Sequence, residues 1–434
     1  MLVSPIVTLY LGIDVGTSGC RACVIDAASA IQAEVSVPLP APVQRQGGFE
    51  QDAEIWWESL GEVLDRLAAR IALAGVDAIA VDGTSGTLLC ADAQGTPLGP
   101  ALMYHDARAI EEARQIAALA PPESAAHGPT SSLAKLLYLH ARGATHGARH
   151  AVHQADWLAG RLAGRQGISD ENNAAKLGYD AVRRVWPAWL ERLGIPRALL
   201  PEVVPPGRPI GTIDPPLRRR WGFSAATRIV SGTTDSTAGF IATGAGPGEA
   251  VTSLGSTLVL KVCTGHPVFA PRYGVYSHRL GDHWLVGGAS NSGGAVLHRY
   301  YSPGEIARLS AGLRPDKPTG LDYYPLPTPG ERFPEYNPQL PPRLEPRPED
   351  DAVFFQGILE GIAAIEWRGY RLLEELGAPY PVRVHSVGGG AANSAWRSIR
   401  EALLGVPVSV AEHQSAAYGA ALLARRGAEY PRGD

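Results

Sequence analysis

An apolar run that stops at a Gly-Thr-Ser turn and then resumes occurs twice in this chain, about 240 positions apart. The first copy is Thr8–Ile13, the turn Asp14-Val15-Gly16-Thr17-Ser18-Gly19, and Arg21–Asp26. The second is Ala250–Leu254, Gly255-Ser256-Thr257, and Leu258–Val262. Each reads as a β-hairpin with a tight, hydroxyl-rich turn. A repeat at this distance is a duplication of domains and excludes a short-period solenoid. The length of 434 residues is ample for two cores.

The segments between the copies alternate strand and helix. Ile31–Val37 extends the first meander, and Val76–Val81 is a buried strand that runs into Asp82-Gly83-Thr84-Ser85-Gly86-Thr87. Asp52 is an N-cap for a helix carrying Trp56, Leu60, Val63, Leu64 and Leu67 at helical spacing. Further helices are expected near 107–120, 131–141 and 157–162. Arg228–Val230 is a strand ending at Ser231-Gly232-Thr233-Thr234-Asp235, with a helix after it, and the domain boundary is placed here: residues 1–227 and 228–434. Eleven prolines between 315 and 348 rule out regular structure there, while Tyr323, Tyr324, Phe333 and Tyr336 suggest that the segment packs onto a domain. A helix over 352–376, a strand at 382–387 with a Gly388-Gly389-Gly390 turn, a helix over 393–404 and a small-residue helix near 415–426 close the chain; the last is expected to pack back on the first domain.

Composition narrows the function. Apolar residues at 45% and charged residues at 19% exclude disorder, and a net charge of −4 gives no basic footprint for nucleic acid or an anionic membrane. No apolar run is long enough to span a membrane, and MLVSPIVTLYLGID lacks a basic n-region, so a cytoplasmic protein is expected. Cys20 and Cys23 form a C-x-x-C, but on a strand and with no second pair to complete a metal site. His146, His150 and His153 have the spacing of a helical metal face; Gly143 and Gly147 oppose a helix, which favours a loop and a strand.

Glycine turns between strands present backbone N–H groups to phosphate, and a strand-end carboxylate beside them suits Mg²⁺. Two such turns from related halves fit one triphosphate. There is no G-x-x-x-x-G-K-[ST], no protein-kinase signature and no G-x-G-x-x-G after a strand.

In order and spacing, the chain resembles the FGGY carbohydrate kinases of the actin/Hsp70/hexokinase superfamily. The resemblance rests on Leu11–Ser18, Glu50-Gln51-Asp52 before Trp56-Trp57, Asp156-Trp157-Leu158, Lys176–Asp180, Gly232–Asp235 with Ala238-Gly239, Gly255–Thr257, and Gly388–Asn393. It implies a two-domain α/β, ribonuclease H-like fold, with duplicated mixed five-stranded sheets flanked by helices and a cleft between the domains. It also implies a kinase that moves the γ-phosphoryl group of ATP, with Mg²⁺, to a sugar hydroxyl. On this pattern Asp235 is the catalytic base and Asp14 lies near the metal and the γ-phosphate. Thr17 and Ser18 line the phosphate path, and Gly255 and Ser256 form the opposing turn. Gly389, Gly390 and Asn393 hold the adenosine, with Trp396 packing on the base.

For the sugar the resemblance implies contacts from Ser85, Asp106 and Arg108, together with Asp14 and Asp235; Asp106 accepts two hydroxyls, and Arg108 either binds or holds Asp106. Xylulose kinases of the family typically carry Gly-Gln-Met-His-Gly where this chain has Asp82–Thr87, so it is more similar to the short D-ribulose-associated members of plants and cyanobacteria. The expected acceptor is D-ribulose, with D-xylulose or another pentulose or polyol as the alternative. A chaperone-like or filament ATPase of the same superfamily is the competitor from another class. The expected partner is a small sugar, and the expected state a monomer or homodimer.

Overall fold

The computed structural model describes residues 8–431. Two compact units emerge. One runs to Ala242 and takes back the chain from Ser415; the other is Thr243–Gln414.

In the first unit, β1 (Leu9–Val15), β2 (Gly19–Asp26) and β3 (Ile31–Pro38) form an antiparallel meander. Helix α1 (Ala53–Ala68) begins at Asp52, whose side chain accepts from the Glu54 N–H. It buries Trp56, Leu60, Val63, Leu64 and Leu67 in the core beneath the sheet. Strand β4 (Val76–Gly83) then pairs parallel with β1. After α2 (Ser132–Ala141) and α3 (Gln154–Ala163), β5 (Pro209–Thr212) forms an antiparallel edge on β6 (Arg228–Thr234), which is parallel to β4. The sheet order is β5-β6-β4-β1-β2-β3. Helix α4 (Asp235–Ala242) leaves directly from β6.

A smaller five-stranded sheet (Val43–Arg45, Gly48–Gln51, Ala101–Leu102, Leu88–Ala91, His150–His153) carries the Tyr104–Arg108 segment beyond one of its strands. His150 and His153 stand on one of these strands and His146 in the turn before it, so no helix puts the three on one face.

In the second unit, β7 (Glu249–Leu254), β8 (Leu258–Thr264), β9 (Tyr276–Leu280) and β10 (His283–Ser290) precede the proline-rich segment. That segment has only isolated bridges and buries Tyr323, Tyr324 and Phe333 in the unit's core; Tyr336 is exposed. Helix α5 (Asp351–Glu375) follows, then β11 (Arg383–Val387), α6 (Ser394–Leu404) and β12 (Val408–Val410). The sheet order is β9-β10-β8-β7-β11-β12.

The two sheets share a plan: a three-strand antiparallel meander followed by two parallel strands added beside its first strand. Each has six strands, because one antiparallel edge strand joins the expected five: β5 on β6 in the first, β9 on β10 in the second.

The last helix, α7 (Ala416–Ala428), belongs to the first unit and packs on β1, β2, β4 and β6. Small residues make this approach possible. A Cβ on Gly12 would lie 2.0 Å from the Ala417 carbonyl oxygen, and one on Gly419 would lie 1.8 Å from that of Ala238.

The boundary expected near residue 227 lies 15 residues later, at Ala242, because β6 is an inner strand of the first sheet and α4 packs against α7. No helix among the described residues is long and apolar enough to cross a membrane. All four cysteines are free and buried, and burial pushes the Cys20 and Cys23 thiols up to about 12, which leaves them inert at neutral pH. Residues 1–7, part of the segment weighed against a signal peptide, lie outside the described residues.

Candidate active site

Three parallel neighbours in the first sheet end on or beside an aspartate. Asp14 is in β1, Asp82 in β4, and Asp235 directly follows β6. The β1–β4 register places Asp14 opposite Asp82, and the β4–β6 register places Asp82 opposite Thr233. The carboxyl ends of parallel strands are where such sheets bind ligands.

Asp14 is 6% exposed and accepts from the Arg21 guanidinium at 3.1 Å. Arg21 also borders the Gly16–Gly19 turn: its Nη1 lies 3.3 Å from where a Gly16 Cβ would be. The turn is closed by Gly16 N–H donating to the Gly19 carbonyl, with Thr17 half-buried and Ser18 exposed at its tip. The turn's backbone and one cation, Arg21, therefore lie together beside Asp14.

Asp82 is the residue that sequence reasoning missed. It is wholly buried, and neither carboxylate oxygen has a hydrogen-bond donor. Burial, and after it the charge of Asp14, hold its carboxyl well above the usual carboxylate range. A signal was present: Asp82-Gly83-Thr84-Ser85 repeats, at the end of β4, the Asp and Gly-Thr-Ser composition found at the end of β1.

Asp235 is half-buried at the first position of α4, and its Oδ1 accepts the Ser236 N–H at 2.7 Å. It helps to raise the Asp82 carboxyl, which puts the three acids within electrostatic reach of one another. Ser85 is half-buried in the turn after β4. Thr84 beside it donates, through N–H and hydroxyl, to Gln154 Oε1 at 3.0 and 2.9 Å. Because the backbone N–H can only donate, the amide oxygen must face it, and Gln154 Nε2 is left buried without an acceptor.

In the Tyr104–Arg108 segment Arg108 takes the second of its two expected roles and holds Asp106. Asp106 is wholly buried, with Oδ2 accepting the Phe49 N–H at 2.8 Å and both oxygens accepting from Arg108. Arg108 also reaches Glu50 at 2.7 Å, and its side chain is 7% exposed. The carboxylate that was expected to take two sugar hydroxyls is occupied by the protein. Asp106 and Arg108 form a buried brace between the 104–108 loop and the strand Gly48–Gln51, made possible by Gly48, where any Cβ would lie 2.0 Å from Arg108 Nε.

Of the three histidines, His153 is likewise occupied. His153 Nδ1 faces Asp156 at 3.1 Å and its Nε2 faces Ser132 at 2.9 Å, all buried. Among the described residues no group of three or more His, Cys, Asp or Glu side chains is arranged to hold a metal.

In the second unit two glycine turns lie side by side at the ends of the parallel pair β7 and β11. Gly255 and Ser256 follow β7, with Ser256 exposed; their carbonyls accept from Gly294 and Ala295. Gly388 follows β11 at φ +84°, where a Cβ would meet the Leu254 carbonyl at 3.0 Å. Gly389 is exposed and has nothing near its missing Cβ. Asn393 caps α6: its Oδ1 accepts the Trp396 N–H at 2.9 Å and its Nδ2 donates to Ser310 at 3.0 Å. Trp396 does not stand ready to pack on a base. It is 3% exposed, and its Nε1 donates to the Leu359 carbonyl at 3.0 Å inside the core.

Glycine turns in both units, three aspartates at adjacent strand ends in one and a duplicated sheet plan are features that known proteins share. The FGGY family of carbohydrate kinases matches with its N-terminal domain over residues 9–242 and its C-terminal domain over 250–428. A xylulose kinase of Streptomyces coelicolor is 29% identical over 439 residues, covering 95% of this chain and 86% of that one. A xylulose kinase of Escherichia coli is 24% identical over 417 residues, covering 90% and 84%. Among solved structures, a xyloylose kinase from Brucella ovis superposes with a TM-score of 0.87 at 25% identity, covering 97% and 90%. The chain belongs to the FGGY family of carbohydrate kinases, and it is an ATP-dependent sugar kinase of the actin/hexokinase-like fold.

Proposed function

We propose that the chain phosphorylates a ketopentose, with D-ribulose preferred over D-xylulose. The observation that carries the site is the row Asp14, Asp82, Asp235 at three adjacent strand ends, compensated by one cation, Arg21. Asp235, half-buried at the head of α4, accepts the proton of the sugar hydroxyl as that oxygen attacks the γ-phosphorus. The first unit supplies the acceptor site and the second the nucleotide site. In the first unit Thr17, Ser18 and the N–H groups of their turn are assigned to phosphate oxygens; in the second, Gly255 and Ser256 are assigned likewise, and the exposed Gly389 with the half-buried Gly390 to the adenosine. Asn393 shapes that turn as a helix cap.

The residues fit a Mg²⁺ ion. Asp82 is a buried carboxylate without a donor, across from Asp14, and Mg²⁺ is usually held by one or two carboxylates, water and substrate phosphates. Asp14, with Asp82 beside it, would hold the ion, which would neutralise charge on the phosphoryl group.

The preference for D-ribulose is supported by the turn Gly83-Thr84-Ser85-Gly86, which offers a short hydroxyl and little bulk. The names of the similar proteins favour D-xylulose as the second reading. Comparing kcat/KM for the two pentuloses by ADP release decides. Equal values, or a D-xylulose preference, would retire the D-ribulose reading and leave the kinase assignment intact. ATP consumption without stimulation by any sugar would retire the acceptor site as a whole.

A further inference from the structure

We propose that Lys135 is a positioning residue for the acceptor sugar, clamping the turn that carries Ser85 to the Tyr104–Arg108 segment through its three N–H donors; this rests on the pentulose-site reading above. Lys135 lies in α2 and is wholly buried. Its Nζ donates to the carbonyls of Gly86 at 2.7 Å, Thr130 at 2.9 Å and Tyr104 at 3.3 Å. Gly86 is at φ +92° and has Thr130 and Ser132 packed close by, so the turn, the start of α2 and the 104–108 segment meet at one ammonium.

No carboxylate touches that ammonium; each of its acceptors is a main-chain carbonyl in a loop. A buried lysine whose role was only to balance charge would sit on an acid. One turn further along α2, the Tyr138 ring lies 5.6 Å from the Arg108 guanidinium, so the same helix braces the far end of the segment. The first turn of α2 is in turn pinned by the Ser132–His153 contact.

The clamp has a chemical limit. An ammonium has three donors and a neutral amine has two, so loss of the proton leaves one of the three carbonyls without its donor. Burial lowers the Lys135 pKa to about 7, within reach of experiment. The charged groups facing it are Asp106, which favours the ammonium, and Lys176, which opposes it. Nearby Arg108 is neutralised by Asp106 and Glu50, and His105, its pKa lowered by burial, is already neutral above pH 7.

The signs for binding and for stability are opposite. Above about pH 7 the clamp loosens and acceptor binding weakens. The unfolded chain, however, keeps this lysine protonated up to its ordinary pKa near 10.4. Folding therefore releases a proton between the two values, and this group's contribution to stability rises with pH. A purely structural lysine would give only the stability trend.

The test measures KM for D-ribulose and D-xylulose, KM for ATP, and thermal stability from about pH 6 to about pH 9. The wild-type enzyme is compared with Lys135→Met, Lys135→Arg, Lys176→Gln and Ser85→Ala. In the wild type, pentulose KM should rise roughly ten-fold, the usual weight of a charged hydrogen bond, with a midpoint near 7 and a flat ATP KM. Lys135→Met should show the weakened pentulose KM already at pH 6. Lys135→Arg should restore binding and abolish the pH dependence. Lys176→Gln should move the midpoint upward.

A pentulose KM independent of pH in the wild type overturns the proposal without recourse to any variant. So does a Lys135→Met enzyme that loses stability but keeps its pentulose KM. If Ser85→Ala leaves pentulose KM unchanged, the placement of the sugar fails, and the proposal with it. If Ser85→Ala raises pentulose KM while Lys135→Met does not, the clamp alone is wrong.

Discussion

The two units build their sheets to one plan, yet one buried acid in each is met in opposite ways. In the second, Glu366 accepts from Arg400 at 2.6 and 2.7 Å and from Thr252 at 2.6 Å, while Arg400 also reaches Ser386 at 2.7 Å. Both members are essentially unexposed, and every partner lies within the unit. In the first, Asp82 is just as buried and has no donor at all. A satisfied buried charge braces a fold, whereas an unsatisfied one is tolerated only where something else arrives to meet it. The unpartnered acid lies in the first unit and the fully paired one in the second.

The largest effect should come from removing the base. Asp235→Asn should lower kcat roughly 10²–10⁴-fold and leave ATP affinity in place. Turnover near that of the wild type would reduce Asp235 to the first residue of its helix and erase the functional side of the contrast.

The contrast itself is tested by two substitutions with opposite signs. Glu366→Ala leaves Arg400 buried without its partner and should destabilise the second unit by roughly 3–5 kcal/mol in chemical unfolding. Asp82→Asn replaces a buried acid, held well above the usual carboxylate range, with a neutral amide. It should leave the melting temperature unchanged or raised while lowering turnover at limiting Mg²⁺. If Asp82→Asn instead unfolds the protein, Asp82 is structural and the two regions do not differ in kind.

Much of this was legible in the sequence because it is local. Asp14, Asp235 and both hairpin turns are fixed by neighbours in the chain, and Asn393 carries the residue type of an N-cap. What was not legible depends on distant partners. β6 belongs to the first sheet because it pairs with β4, and at its foot Thr227 donates to the Val76 carbonyl, 151 positions away. Asp106 looks like a free ligand until Phe49 and Glu50, more than fifty positions earlier, occupy it and its arginine. Trp396 follows a glycine turn closely enough to suggest a base platform, but the inward face of α6 carries it into the core.

A smaller effect is expected at Ser85. If its hydroxyl reads one configuration at the sugar's third carbon, the wrong epimer leaves a buried group unpaired, at about 1–3 kcal/mol. Ser85→Ala should then erode the preference between the two pentuloses by a factor of roughly 5 to 150 and leave ATP KM as it was. Equal losses for both sugars would make Ser85 a general contact and move discrimination elsewhere, for example to Gln154 Nε2, an unpaired donor of the amide that Thr84 bonds.

The smallest effect separates two adjacent glycines of the second unit. Gly389 has no atom within 4 Å of its missing Cβ, so a methyl there would project into open space. Gly390 would place its Cβ 2.6 Å from Trp396 Cζ3 and 2.9 Å from Leu254 Cβ, against a packed core. Gly390→Ala should therefore lower the melting temperature whatever the ligand. Gly389→Ala should leave the melting temperature and pentulose KM unchanged and raise ATP KM by about five-fold, as about 1 kcal/mol of crowding would. If the Gly389 methyl leaves ATP KM untouched, the nucleotide does not lie on this turn. Packing against Leu254 would then explain Gly388 and Gly390 and leave Gly389 without a role.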